Sequence, residues 1–159
     1  MARTKKESTI EKKFSAYELK LVKESEWTYE VDNKVSSPMQ ACSIINKVFG
    51  LEDLAEEKFV MLCFNTKNAV VGAFEVSKGS LNASIVHPRE VFKRAILSNA
   101  NAILIAHNHP SNDLTPSSDD IDITKQLKSA WDIIGIKVLD HLIIGENNFY
   151  SFKEHGQMS

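Results

Sequence analysis

Two histidines, a serine and an aspartate lie close together in the stretch ILIAHNHPSNDLTPSSDDID, residues 103–122. The histidines, His107 and His109, come at the end of a short apolar run. If that run is a β-strand, residues two apart point to the same face, so both imidazoles are directed at one spot. Pro110 then ends the strand, because proline cannot donate a hydrogen bond to the ladder.

Ser117 and Asp120 are three residues apart near the start of an expected helix, and therefore share a helical face. A strand end with two histidines and a helix start with an aspartate can converge on one ion. Two imidazoles and a carboxylate, with a fourth position left to water, form a catalytic zinc shell. Zinc lowers the pKa of bound water to about 7, which makes that water a usable nucleophile.

The same stretch also fits an ordinary turn followed by a helix cap. Serine, asparagine, aspartate and proline are common in loops. Asp119 and Asp120 near a helix N-terminus are favoured by the helix dipole without any metal. Ser117 alone is explained by helix-start chemistry. The spacing by itself therefore leaves both the metal site and the capped turn open.

The helices and strands that would position these residues can be predicted from hydrophobic periodicity and from the residue types that start and end such elements. SPMQACSIINKVFG predicts a helix capped by Ser37, with Pro38 in its first turn and Gly50 at its end. PREVFKRAILSNA predicts a second helix, and TPSSDDIDITKQLKSAWDIIG a third, with Thr115 as N-cap and Pro116 at the first helical position.

The expected strands alternate with these helices. KFVMLCFN and AVVGAFEV predict a hairpin, SKGSLNASIVH a short further strand, and IKVLDHLIIG and FYSF the closing strands. AILIAH is continuously apolar, as expected in the middle of a sheet. The order of elements predicts one α/β or α+β domain with a central mixed sheet flanked by helices.

Composition limits the class of protein. The chain has 159 residues and a formal net charge of -2. This charge does not favour nucleic-acid binding as the main role, because contacts with phosphates normally need an excess of basic residues. A local basic patch remains compatible with it. The two cysteines, Cys42 and Cys63, are expected to be reduced. The charged N-terminus shows no signal peptide, and no apolar run reaches the ~18 residues of a membrane span. A cytoplasmic protein is therefore expected.

Residues 1–37 are expected to form an N-terminal arm that is partly mobile. The first sixteen or so residues carry few apolar side chains. ELKLV and WTYEV alternate weakly, so they predict either edge strands or an arm that contacts a partner. The sequence does not fix the oligomeric state.

The stretch HNHPSNDLTPSSDD, residues 107–120, reproduces the pattern H-x-H-x7-S-x2-D without a gap. This pattern resembles that of JAMM (JAB/MPN) metalloproteases. The flanking stretches SLNASIVHPREVFKRAILSNANAILIAHNHPS and VLDHLIIGENNFYSF are similar to the bacterial RadC branch, over roughly residues 38–155. The resemblance implies a metal-binding domain at residues 38–159 that hydrolyses peptide or isopeptide bonds in a protein or peptide substrate, with Zn²⁺ as cofactor.

Residue roles follow from the resemblance position by position. His107, His109 and Asp120 match the three metal ligands of the pattern, and Ser117 matches its serine, whose hydroxyl would hydrogen-bond the oxyanion. The general base of the family is a glutamate near the start of the first core strand. Its match is among three glutamates of this chain, and the expected one is Glu57, with Glu56 one residue away and Glu75 as the third.

Other polar residues have simpler interpretations. Asp140 and His141 are adjacent on a strand and face opposite sides, so they cannot both reach one ion; we expect a buried hydrogen-bonded pair or a partner of a metal ligand. His87 precedes a proline at a helix start and is expected to act as a cap. Gly79 lies in a loop that is expected to border the cleft, where it would let a substrate backbone approach closely.

Two other functions compete with the hydrolase. Longer RadC proteins carry a helix-hairpin-helix region associated with DNA binding, and residues 1–37 lack its glycine hairpins, so an inherited DNA-repair or nuclease role is in doubt. The tripeptide HNH suggests HNH endonucleases, but the downstream Ser-x-x-Asp fits the JAMM pattern better. The third alternative is a non-catalytic MPN interaction module, although the ligand set is complete.

Overall fold

The computed structural model describes residues 11–30, 34–79 and 86–158. The elements in these ranges follow in the order α1 (Pro38–Phe49), β1 (Lys58–Phe64), β2 (Val70–Lys78), α2 (Pro88–Leu97), β3 (Ala102–Asn108), α3 (Ser118–Ile134), β4 (Lys137–Gly145) and β5 (Asn148–Ser151). A single 3-10 turn, Leu51–Asp53, lies between α1 and β1.

The five strands form one sheet in the order β2-β1-β3-β4-β5. β3 and β4 are parallel, and the other neighbouring pairs are antiparallel. Parallel neighbours need a crossover connection, and α3 supplies it between β3 and β4. Every residue of β3 is buried, as its continuous apolar run predicts. The predicted hairpin, the closing strands and the mixed sheet are therefore confirmed.

Helices cover both faces of the sheet. Along β1, alternate side chains enter two separate cores. The core that contains Phe59, Met61 and Cys63 also contains residues of α2 and α3. The core that contains Val60 and Leu62 also contains residues of α1. The domain therefore has three layers, with β3 in the middle of the central one.

The predicted bounds of α1 are confirmed. The Ser37 hydroxyl accepts a hydrogen bond from the Gln40 N–H, and Pro38 is the first helical residue. The helix ends at Gly50, whose φ of 59° is a left-handed conformation that glycine adopts without a Cβ penalty. The chain then turns directly towards β1.

The predicted start of α3 is wrong by two residues. The N-cap is Ser117 rather than Thr115, and Pro116 lies before the cap instead of in the first turn. The Ser117 hydroxyl accepts a hydrogen bond from the Asp120 N–H, and the Asp120 carboxylate accepts one from the Ser117 N–H. This reciprocal pair satisfies two backbone donors, which is why the helix begins there.

The described part of the N-terminal arm, residues 11–30, contains no helix or strand, so the edge strand expected in ELKLV is not formed. WTYEV is described only as far as residue 30 and is not a strand there. The arm is attached near its end, where the Tyr29 hydroxyl accepts a hydrogen bond from the Val70 N–H at 2.8 Å. Most of the short strand predicted in SKGSLNASIVH lies at residues 80–85, outside the described residues.

Two further features bear on the class of protein. Cys42 and Cys63 are free thiols, as predicted. Burial raises the pKa of each thiol to about 11. Among the described helices, none combines the length and apolar character needed to cross a bilayer.

Candidate metal centre

The structure brings together the three predicted ligands, His107, His109 and Asp120. The histidines come from the end of β3, and their Nε2 atoms are 3.1 Å apart. Asp120 comes from the first turn of α3, with Oδ1 3.1 Å from Nε2 of His107 and Oδ2 3.4 Å from Nε2 of His109. The three side chains therefore come from two separate elements of the parallel β3–α3–β4 crossover and meet at one point.

The spacing of these atoms fits a metal shell. In a tetrahedral site with zinc–nitrogen and zinc–oxygen bonds of about 2.0–2.1 Å, neighbouring ligand atoms are about 3.3 Å apart. Nε2 of His107 lies 3.1 Å both from Nε2 of His109 and from Oδ1 of Asp120, close to that value, and one ligand atom from each of the three residues lies within 4.8 Å of the others. His107 and Asp120 are buried, and His109 is half-buried. The group could therefore hold a metal ion with one side open to solvent.

The second nitrogen of His109 determines which nitrogen faces the site. Nδ1 of His109 lies 2.6 Å from the Asp113 carbonyl oxygen, which can only accept, so Nδ1 carries the proton and donates it. In the neutral ring, Nε2 then carries a lone pair that faces His107 and Asp120. The Asp120 carboxylate, by its hydrogen bond, raises the pKa of His109 above its ordinary value, against the opposing effect of partial burial.

Asp120 remains ionised although it is buried. Burial alone would raise its pKa, but the facing imidazoles of His107 and His109 and the hydrogen bond from the Ser117 N–H together hold the pKa of Asp120 well below its ordinary value. A carboxylate and two ring nitrogens that face one another form a donor set that favours a cation. The chemistry of the donor set therefore agrees with its geometry.

His107 has a buried partner behind it. Nδ1 of His107 lies 2.9 Å from Nε2 of His141 on the parallel neighbour β4. Nδ1 of His141 lies 2.6 Å from the Thr124 hydroxyl of α3. His141 is fully buried, and burial lowers its pKa well below the ordinary value. The expectation that this histidine supports a metal ligand agrees with these contacts.

Asp140 takes part in a different network on the other side of β4. Its carboxylate accepts hydrogen bonds from the Ser151 hydroxyl at 2.6 Å and from the Lys153 N–H at 3.0 Å. Burial raises the pKa of this carboxyl against the lowering effect of those hydrogen bonds. Asp140 therefore holds the C-terminal segment in place rather than contributing to the metal centre.

The strand register places Glu57 beside the metal centre. Phe59 pairs with His107 in the antiparallel β1–β3 ladder, and continuing that register brings Glu57 opposite His109. Directly opposite residues of an antiparallel pair share a face. The charge of Glu57 is among the influences that raise the pKa of His109. Glu57 is half-buried, and its backbone carbonyl accepts a hydrogen bond from the Gly79 N–H at 2.8 Å.

The other two glutamates are engaged elsewhere. The carboxylate of Glu56 lies 3.4 Å from the Lys78 amine, and that of Glu75 lies 3.0 Å from the Lys58 amine. Lys58 is the first residue of β1 and follows Glu57 directly, so its side chain faces the opposite side of the strand, whereas Glu56 lies in a bend before the strand. Of the three glutamates, Glu57 is therefore the one on the face of His107 and His109.

Asn108 is a residue of this site that the sequence analysis left without a role. It lies between the two histidines and points to the opposite face. Its Nδ2 donates hydrogen bonds to the carbonyls of Glu56 at 3.0 Å and Leu54 at 3.3 Å, and its Oδ1 accepts one from the Lys58 N–H at 2.8 Å. The strand that carries the ligands thus holds the segment that carries Glu57. An asparagine between two histidines at the end of an apolar run is the sequence signal for this role.

Ser117 has the position of a helix cap at the edge of the centre. Its side chain is exposed and accepts a hydrogen bond from the Asp120 N–H at 3.1 Å. A serine hydroxyl that accepts one hydrogen bond still has its own proton to donate. His87 caps α2 as expected, since its Nδ1 accepts from the Arg89 N–H at 3.1 Å.

Comparison with known proteins identifies the family to which this fold belongs. The family model of the RadC-like JAB domain matches residues 35–157. A UPF0758 protein of Clostridium beijerinckii is 50% identical over 125 residues, which cover 79% of this chain and 54% of that protein. A UPF0758 protein of Geotalea uraniireducens is 46% identical over 130 residues, which cover 82% of this chain and 56% of that protein.

The domain has a mixed five-stranded sheet between two helical layers, with a His-His-Asp group near the end of the central strand. This arrangement is consistent with the JAB class of domains. Within that class, the chain belongs to the RadC-like JAB domain family, as the resemblance in its sequence implied. The chain spans about half the length of the curated relatives that it matches.

Proposed function

We propose that this chain is a zinc-dependent hydrolase of peptide or isopeptide bonds. The observation that carries the proposal is the convergence of two imidazole nitrogens and a carboxylate within 4.8 Å of one another, with a glutamate on the same face of the sheet. His107, His109 and Asp120 would hold the ion. Three protein ligands leave a fourth position of a tetrahedral shell for water or substrate, which is typical of catalytic rather than structural zinc.

Zinc in this shell supplies a Lewis acid that acidifies water and polarises a carbonyl group. Hydrolysis of an amide also needs a group that accepts a proton from the attacking water and returns it to the departing amine. Glu57 would perform that task, which is supported by the extended strand register, by the hydrogen bonds of Asn108 to both neighbours of Glu57, and by the hydrogen bond from the Gly79 N–H to the Glu57 carbonyl. Its carboxylate would alternate between base and acid in each turnover.

Ser117 would stabilise the negative charge that develops on the carbonyl oxygen of the substrate. Its hydroxyl is exposed at the first turn of α3, beside Asp120, and keeps a proton for donation while it caps the helix. A fixed hydrogen-bond donor directed at a developing oxyanion lowers the barrier more than the same donor in water. The N-cap geometry supplies that fixation here.

The decisive experiment combines elemental analysis with cleavage of a quenched fluorescent peptide library. The wild-type protein is expected to contain one equivalent of zinc and to cleave peptides until a chelator is added. His109→Ala is expected to lose both zinc and cleavage. His155→Ala is the matched control, because His155 is exposed near the C-terminus and is not in the His-His-Asp group.

A plasmid-nicking assay run in parallel separates the alternatives. Metal-dependent nicking without peptide cleavage would replace the proposal with a nuclease. Zinc binding with neither activity would favour a non-catalytic MPN module. A wild-type protein that contains no zinc after growth and dialysis in zinc-containing buffer would contradict the metal centre itself.

A further inference from the structure

We propose that the described part of the N-terminal arm, residues 11–30, adds a strand to the β2 edge of a second copy of this chain. The arm and the edge belong to the same molecule, so each copy gives its arm to its partner and receives the partner's arm. The inference goes beyond the proposed hydrolase and does not depend on the metal centre.

The arm carries apolar side chains that its own domain leaves uncovered. Every residue from 11 to 30 is exposed except Tyr29, which is half-buried. Four large apolar side chains of the arm are 79–94% exposed: Phe14, Tyr17, Leu19 and Val22. Single exposed apolar residues are ordinary on a protein surface, but a group of them in one short segment is typical of an interaction site.

The spacing of residues in the arm suits a β-strand. Tyr17, Leu19 and Leu21 alternate with the charged residues Glu18 and Lys20. In a strand, residues two apart face the same side, so the three apolar side chains would form one stripe and the two charges would face away from it. Because this segment is not a strand within its own chain, the pairing partner must come from another molecule.

The matching surface is the outer edge of β2. This strand ends the sheet, and among the described residues no strand lies on its outer side. It is nine residues long, the same length as the arm segment 14–22. Phe74 and Val76 of β2 pack against the core that contains α2 and α3, but they are only partly buried. An added strand would pair the outward backbone groups of β2 and cover these side chains.

The exposed surface is large enough for a stable dimer. The chain exposes 10831 Å², whereas a compact monomer of 17.8 kDa is expected to expose about 8,000 Å². The difference is about 2,800 Å² per chain, and a stable interface of standard size buries roughly 800 Å² per partner. Residues 11–30 contribute to this difference because nearly all of them are exposed. Burial of two exchanged arms can therefore hold two copies together.

The attachment of the arm places it beside β2. The Tyr29 hydroxyl accepts a hydrogen bond from the N–H of Val70, the first residue of β2, and the Thr28 carbonyl accepts one from the Lys47 amine. From this anchor, residues 11–28 reach up to about 60 Å when extended, and a compact chain of this length has a radius of gyration of about 15 Å. Each arm can therefore reach the β2 edge of its partner. A twofold exchange is closed, because it leaves neither β2 edge open.

The first test is the mass of the full chain in solution, measured by light scattering after size-exclusion chromatography. The wild-type chain is expected to have twice the 17.8 kDa of one copy. Tyr17→Ser, Leu19→Ser and Leu21→Ser together remove the apolar stripe, and this variant is expected to have the mass of one copy.

The matched control changes the opposite face of the same segment. Glu18→Ser with Lys20→Ser is expected to keep the dimer mass. All five side chains are exposed, so neither set of changes disturbs the core of the domain. A wild-type chain with the mass of one copy would overturn the proposal, and so would a dimer that survives loss of the apolar stripe. An arm that docks on its own β2 gives the first of these results.

The second test locates the arm on its partner. Ala16→Cys protein that carries a nitroxide spin label is mixed with ¹⁵N-labelled wild-type protein. Cys42 and Cys63 each have a pKa of about 11, so the label reacts first at position 16. The amide signals of β2 in the ¹⁵N-labelled copy are expected to broaden, because the spin label of the other copy lies near them. Broadening confined to another surface, or none in a dimeric sample, would overturn the assignment of β2.

Discussion

Asp120 performs two tasks with one carboxylate, since it caps its own helix through the Ser117 N–H and faces the two ligand histidines. The sequence predicts this ligand and both histidines, because spacing in one strand and one helix turn is a local property. The resemblance favours Glu57 over Glu56 and Glu75, but spacing alone does not separate them, because the position of the glutamate depends on the pairing of β1 with β3. The structure supplies that register as far as the pair of Phe59 and His107, and extending it by two residues puts Glu57, rather than Glu56, opposite His109.

Glu57 is therefore the residue whose replacement is most informative. Glu57→Gln is expected to lower kcat for peptide cleavage by about 10²–10⁴-fold, because the amide cannot transfer the proton. Zinc content by elemental analysis is expected to stay at the wild-type value. Glu56→Gln is the matched control, since Glu56 pairs with Lys78, and its kcat is expected to change little. The opposite ranking of the two variants would assign the base to Glu56.

Ser117 combines a capping role that the structure describes with a proposed role towards the oxyanion. Ser117→Ala is expected to lower the free energy of unfolding by about 1 kcal/mol through loss of the cap. It is also expected to lower kcat by roughly 10²-fold through loss of the donor. Ser117→Thr keeps both functions and is expected to resemble the wild type. Denaturant unfolding and steady-state kinetics separate the two effects, and an alanine variant with unchanged kcat would leave Ser117 as a cap alone.

At the scale of elements, the helices and strands of the described residues are largely predictable, because hydrophobic periodicity and capping depend on residues that are close together in the sequence. The start of α3 is the exception. Thr115 and Pro116 have residue types that suit a helix start. The helix nevertheless begins after Ser117, because Ser117 and Asp120 form reciprocal hydrogen bonds that cap it. Asn108 escapes prediction for a different reason, since its partners at residues 54–58 are remote in sequence.

Asn108 is expected to couple the ligand strand to the segment that carries Glu57. Asn108→Ala leaves the Lys58 N–H and two carbonyls without this partner, and is expected to cost roughly 1–3 kcal/mol in the free energy of unfolding. It is also expected to reduce kcat more than zinc affinity. Asn101→Ala is the control, since Asn101 is exposed at the start of β3. Equal kcat in the two variants would show that the segment is held by other contacts.

Gly145 sets the distance between the end of β4 and the loop that follows the ligand histidines. A Cβ there would overlap the Asn112 side chain and lie 2.8 Å from Cδ2 of Leu114. Asn112 Oδ1 accepts a hydrogen bond from the Glu146 N–H at 2.9 Å, so the overlap would displace the loop. Gly145→Ala is expected to lower both the melting temperature and the zinc affinity.

Gly50→Ala is the matched glycine control for that experiment. It imposes an unfavourable positive φ on alanine but meets no atom within 4 Å and lies at the end of α1. Its melting temperature is expected to fall while its zinc affinity, measured by chelator competition, stays at the wild-type value. Equal losses of zinc affinity in both variants would show that general destabilisation, rather than loop displacement, is responsible.

At the scale of the whole molecule, the sheet is covered on both faces and the free thiols lie in or against its two cores. Cys63 is fully buried and Cys42 is half-buried, and each has a pKa of about 11. At pH 8 only about 0.1% of such a thiol is ionised, and the thiolate is the reactive form. The folded protein is therefore expected to react slowly with a thiol-specific chromogenic reagent, and the protein in guanidinium chloride rapidly. Rapid stoichiometric reaction of the folded protein would contradict this packing.

The reciprocal cap at the start of α3 has a consequence for how the centre comes into being. The turn formed by residues 117–120 holds both the Asp120 carboxylate and the Ser117 hydroxyl, and the carbonyl of Asp120 accepts a hydrogen bond from the Thr124 hydroxyl. Helix ends fray at a lower free energy than the interior of a domain. Unwinding this one turn would withdraw the carboxylate and the hydroxyl together, so the proposed metal centre is expected to be lost by local fraying while the rest of the domain stays folded.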